Sequence, residues 1–220
     1  MMREPFFDAL TSRLSESGWF LDIFGTEDDY NTYIRDEGDV IFQLGVSVSS
    51  DHYANPSIGV QHPEVSKLLA SFHRRPLRPG RTAAACSVGA SLADLLRRAS
   101  PSVEVRNRWR IGDVRDAATV ASLLYEDLES VGIPFLNSAA SLTPIVNRLE
   151  ANDKRYQMLN AHLAIAAALL GRTDIAMDAL ADYVEEARPQ TGLVAEQSRT
   201  FIEGYVRHFG VGHAVVDLPG

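Results

Sequence analysis

Residues 40–48 carry the pattern that most constrains what this chain can fold into. Val40, Phe42, Leu44, Val46 and Val48 alternate with Ile41, Gln43, Gly45 and Ser47. A period of two sends the first set to one face of a strand, and because that face is apolar throughout, it requires a core on one side. Residues 49–56, dense in Ser, Asp and Asn, turn the chain, and residues 57–61 return as a short strand. The hairpin 40–61 is therefore expected to be the centre of a sheet on which the helical segments pack.

Residues 4–17 read as a helix, with Pro5 in the first turn, Phe7, Leu10 and Leu14 as a stripe and Gly18 as its stop. Strands are expected at 19–24 and 30–35, bounded by acidic turns at 26–29 and 36–39. A short helix opens at His62-Pro63 with Val65, Leu68, Leu69 and Phe72 inward, and the prolines and glycine of 74–81 end it. Residues 83–89 have strand length, and Ser91-Leu92-Ala93-Asp94 has the form of a capping box. From Asp113 onward the spacing turns helical, with segments opening at Asp113, Thr143, Asp153, Thr173 and Leu193 and stopped by Gly132, Gly171, Pro189 and Gly210. The expected fold is α+β: an N-terminal, mostly antiparallel sheet with flanking helices over 1–112, then a C-terminal antiparallel helical bundle over 113–220, packed together as one compact unit. Within that bundle, Leu170-Gly171-Arg172-Thr173-Asp174-Ile175-Ala176 with Leu180 and Tyr183 resembles one tetratricopeptide hairpin, although Asn160 stands where that pattern places Trp. One period is too few for a solenoid, so an ordinary antiparallel helix pair is expected.

Charge is segregated. Lys and Arg number 4 against 12 Asp and Glu in residues 1–72, 10 against 3 in 73–115 and 7 against 14 in 116–220, within a net charge of −8. A basic middle in an acidic chain either folds against its own acidic parts or faces a partner. Residues 103–111 alternate a second time, with Val103, Val105, Asn107, Trp109 and Ile111 against Glu104, Arg106, Arg108 and Arg110. On a strand the three guanidiniums would form a row roughly 14 Å long. Such forks bind carboxylate or phosphate at two points, so Arg106, Arg108 and Arg110 are candidate partner contacts, the alternative being that they guard an edge strand or pair with Glu104 and nearby acids. The acidic turns Glu27, Asp28, Asp29 and Asp36, Glu37 are the other candidates, as a negative rim.

Chemistry is sparse by comparison. The chain has no Gly-rich phosphate loop, Ser nucleophile elbow or His-Glu-x-x-His run. Its single cysteine, Cys86, allows no internal disulfide or cysteine-cluster metal site, and its apolar neighbours predict an inert thiol. The six histidines share no metal-ligand spacing, and no catalytic residue, metal or cofactor is expected. The apolar run 161–170 is too short to span a bilayer and the N-terminus lacks a secretory segment, which predicts a soluble cytoplasmic protein.

Taken together, Gly18-Trp19, the hairpin strands 40–48 and 58–61, Cys86-Ser87-Val88-Gly89-Ala90-Ser91-Leu92, Arg108-Trp109 and Gly132-Ile133-Pro134-Phe135-Leu136 resemble the small bacterial α+β domains that occur as immunity proteins of polymorphic toxin systems. The likeness covers about residues 4–150. It implies a non-enzymatic inhibitor that binds a toxin, and it supplies no catalytic residues. The expectation is a protein-binding module with a protein partner. The alternatives are a hydrolase-like enzyme using carboxylates and histidine, or nucleic-acid binding through the arginines, against which the acidic flanks stand.

Overall fold

The computed structural model describes residues 3–22, 30–74, 86–102, 104, 105 and 107–210. In chain order its elements are α1 (Arg3–Ser15), β1 (Phe20–Leu21), β2 (Tyr30–Asp36), β3 (Ile41–Val48), β4 (Ala54–Gln61), α2 (Pro63–Phe72), β5 (Val88–Ser91), α3 (Leu92–Ala99), α4 (Ala117–Asp127), α5 (Ile133–Asn137), α6 (Leu142–Glu150), α7 (Gln157–Leu169), α8 (Thr173–Ala187) and α9 (Gly192–Phe209). This is the expected α+β arrangement, a sheet followed by helices. The chain folds into two compact units, one of residues 1–60 with 80–140 and the other of 61–79 with 141–220. Helices α4 and α5 thus group with the sheet, and α2 groups with the later helices.

In the first unit, the described strands form an antiparallel sheet in the order β1-β2-β3-β4-β5. Register pairs Tyr33 with Leu44 and Arg35 with Phe42, and Ile58 with Ala90 across β4 and β5. The face read as apolar is buried, with Val40, Phe42, Leu44, Val46 and Val48 all inside, but Gln43 and Gly45 on the opposite face are buried as well, so the middle of β3 is covered on both sides. Helix α1 lies over this apolar side, burying Phe6, Phe7, Leu10 and Leu14, and Thr11 Oγ1 shares a 3.0 Å hydrogen bond with Tyr33 Oη. Each such fully buried side chain contributes on the order of 1.5–3 kcal/mol. Helix α4 packs on α1, and Ser17 and Tyr125 join their hydroxyls.

The helix beginning near Asp113 does not end at Gly132. It continues through a π-helical turn, Leu128–Gly132, into α5. Gly132 sits there because a Cβ would fall 2.8 Å from Leu128 Cδ1 and 3.2 Å from Leu92 Cδ1. The capping box also departs from expectation: Ser91 is the N-cap of α3 without a side-chain cap bond, and Asp94 instead accepts from Arg97 Nη1 at 2.6 Å.

The second unit is helical. Helix α7 is buried without interruption from Asn160 to Ala167, as befits a helix surrounded on several sides: α2, α6 and α8 all pack on it. Helices α7 and α8 form an antiparallel pair, since Asn160 near the start of one donates to Glu186 near the end of the other at 2.7 Å, and Arg155 reaches Asp182 at 3.2 Å. An aromatic cluster of Phe72, Tyr183, Phe201, Tyr205 and Phe209 ties α2, α8 and α9, with Tyr183 and Phe201 centroids 4.4 Å apart. Gly204 lets α9 approach α2 closely, because a Cβ there would lie 2.9 Å from Phe72 Cα. Among the described residues no helix is long and apolar enough to cross a membrane.

Candidate functional site

The loop joining β3 to β4 is held by its own backbone. Ser49 N donates to Tyr53 O at 2.9 Å, His52 N to Ser49 O at 2.9 Å, and Tyr53 N to Ser49 Oγ at 3.1 Å. This closure puts His52 in the left-handed region, at φ 63°, a position that hairpins of this length usually fill with Gly or Asn.

Residues 104–111 run alongside this loop. Ala54 N donates to Trp109 O at 3.0 Å and Ile111 N to His52 O at 2.9 Å, which brackets an isolated bridge between Tyr53 and Arg110. Among the described residues of this segment that bridge is all the β-structure found. Where the expected strand 103–111 is described, it turns instead, with Arg108 N bonded to Val105 O at 3.2 Å and Arg110 N to Asn107 O at 3.3 Å. Val105, Trp109 and Ile111 are buried as the alternation predicted, whereas Asn107, assigned to the same face, is exposed.

What bends the segment is Asp127. Its side chain is almost completely buried at the last position of α4, and it accepts Arg108 Nε at 2.5 Å, Arg108 Nη2 at 2.7 Å and Trp109 Nε1 at 2.9 Å. The paired hydrogen bonds to Asp127 push the Arg108 guanidinium pKa further up. Buried charge is tolerated only when paired and hydrogen-bonded, and here one carboxylate meets three donors.

The arginine row is therefore not formed by the described arginines. Arg108 is taken up by Asp127, Arg106 lies outside the described residues, and Arg110 is exposed, with its guanidinium carbon 5.8 Å from the Tyr53 ring centroid. Arg110 stands at the rim of an open groove of about 1110 Å³, whose walls are the hairpin loop, the start of β4, the first turns of α3 and the 105–110 segment. Trp109 and Val105 give the groove its apolar part, while His52, Tyr53, Ser57 and Ser91 give it polar groups.

Of the acidic candidates, Glu27, Asp28 and Asp29 lie outside the described residues. Asp36 and Glu37 sit at the turn entering β3, the opposite end of that strand from the groove. Asp36 Oδ1 accepts Gly38 N at 2.8 Å, and Glu37 pairs with Arg35 at 2.5 Å, whose guanidinium lies over Trp19 and Phe42. The site members that sequence reasoning missed are His52, Tyr53, Trp109 and Asp127. A histidine where a turn asks for glycine was the one readable signal.

Cys86 donates to Gln43 Oε1 at 2.9 Å, and burial pushes its thiol up to about 12. With so little thiolate at pH 8, the native chain is expected to react with a disulfide reagent on the order of a thousandfold more slowly than the guanidinium-unfolded chain. Comparable rates in the two states would contradict that burial. Among the described residues, no three His, Cys, Asp or Glu side chains converge as a metal-ligand set. The chain matches no protein-family model, no curated protein and no solved structure.

Proposed function

We propose that this chain is a non-catalytic binding module that holds a protein partner at the groove of its first unit, in the manner of an immunity-type inhibitor acting on a toxin. The observation that carries the reading is the way the groove wall is fixed: Asp127 clamps Arg108 and Trp109, and the backbone of Trp109 and Ile111 is tied to the hairpin. A preformed wall is what a binding surface needs, because little ordering entropy remains to be lost when the partner arrives. At the rim, Arg110 and Tyr53 are an arginine and an aromatic side by side, the residue types that anchor protein interfaces.

The test compares capture from host extract by the tagged wild-type chain and by Arg110→Glu. The wild type is expected to retain one protein in near-equimolar amount, and the variant at least tenfold less. Arg110 is exposed, so the variant's stability should stay within about 0.5 kcal/mol. Equal capture by both chains, or retention of nucleic acid in place of protein, would contradict the reading.

A further inference from the structure

We propose that the groove receives a carboxylate-bearing segment of the partner, with the Arg110 guanidinium as the two-point contact and His52 as a second polar contact beside it. This rests on the binding reading above and narrows it to a chemistry.

Strand addition is disfavoured as the mode of entry. The edge of β4 is already paired at Ser57 with Ser91 and at Tyr53 with Arg110, and between them stands Pro56, which has no N–H to offer. Recognition therefore falls to side chains. Arg97, Arg110 and Asp51 are the charged groups lining the groove. Arg97 is engaged by Asp94 at 2.6 Å. Arg110 has no ion pair among the described residues, and one face of its guanidinium lies over Tyr53, whose hydroxyl donates to Asn107 Oδ1 at 3.4 Å. A fork held by its face keeps its N–H edge free, and that edge matches the two oxygens of a carboxylate. Phosphate has the same matching geometry and is therefore tested beside the carboxylate as a separate probe.

His52 supplies an independent observation. It lines the same groove, holds a left-handed backbone at φ 63°, and its buried Nδ1 has no hydrogen-bond partner among the described residues. Backbone strain at a non-glycine residue with an unpartnered ring nitrogen is a pattern found at ligand-binding positions.

The experiment is an amide and side-chain NMR titration of the full chain with three probes: acetyl-triglutamate amide, acetyl-triglutamine amide and inorganic phosphate. The glutamate peptide is expected to move the amides of 50–57, the Trp109 indole and the Arg110 Nε–H. The glutamine peptide should leave them in place, and Arg110→Gln should weaken the glutamate peptide at least tenfold. His52→Gly should also weaken it while leaving the melting temperature unchanged or higher, since glycine relieves the left-handed backbone. A merely structural His52 would instead lose stability without losing affinity. Silence of the groove signals, equal response to both peptides, or a response to phosphate at lower concentration than to glutamate would each overturn the carboxylate assignment. If the groove is silent to glutamate while capture of the partner still depends on Arg110, this inference falls and the binding reading stands.

Discussion

Replacing Asp127 by alanine is expected to lower the stability of the first unit by about 3 kcal/mol, the low end of what removing one partner of a buried ion pair costs. The low end applies because the Arg108 side chain is 29% exposed and can turn its charge toward water. Trp109 cannot do the same: its Nε1 is buried and loses its acceptor. Arg108→Ala should cost at least as much at neutral pH, because it leaves the buried Asp127 carboxylate with the Trp109 N–H and no counter-charge. The two substitutions together should cost less than the sum of their separate effects, with a coupling of about 1.5–3 kcal/mol. Guanidinium denaturation followed by tryptophan fluorescence measures all three. A loss under 1 kcal/mol for Asp127→Ala, or strict additivity, would mean that the clamp does not hold the 104–111 segment.

The second large effect is on acid stability, and it resides in the second unit. His162 is fully buried in α7, and burial together with the nearby His73 lowers its pKa from 6.5 to about 4. The sign follows from which state takes up the proton first. As pH falls through 6.5 the unfolded chain binds a proton that the folded chain still refuses, so stability is lost with falling pH until about pH 4, where the folded histidine titrates too. Between pH 7 and 5 this one group should remove about 2 kcal/mol, approaching about 3 kcal/mol at lower pH. His162→Gln stays neutral throughout and should lack that component. Hydrogen exchange of α7 amides in wild type and variant at both pH values is the direct comparison. Parallel pH dependences would rule the histidine out as the source.

The contrast between the two alternating segments explains how much of the fold was legible. Residues 40–48 alternate because a sheet face is buried, and Phe42, Leu44 and Val46 reach the core as their spacing demands. Residues 103–111 alternate for a different reason. Val105, Trp109 and Ile111 are buried by a turning segment whose path is set by Asp127, a residue 19 positions away from Arg108. Local periodicity carries no information about such a partner, so it predicts an arginine row where Arg108 is in fact engaged. Helices α8 and α9 were legible because Gly171 and Gly210, both at positive φ, end or separate the helices where the sequence placed them. Gly132 misled because its role is close packing against Leu128 and Leu92 inside a continuing helix. The candidate site was only faintly legible, since it is made where the hairpin loop meets a non-adjacent segment.

The proposed seat of the partner is the groove beside Arg110. The measurement that tests it most directly is a hydrogen-exchange footprint of the chain with and without the captured protein. Slower exchange is expected at 49–57 and 107–111, with the turn at 36–40 unchanged. Protection confined to that acidic turn, or to the helices of the second unit, would contradict it.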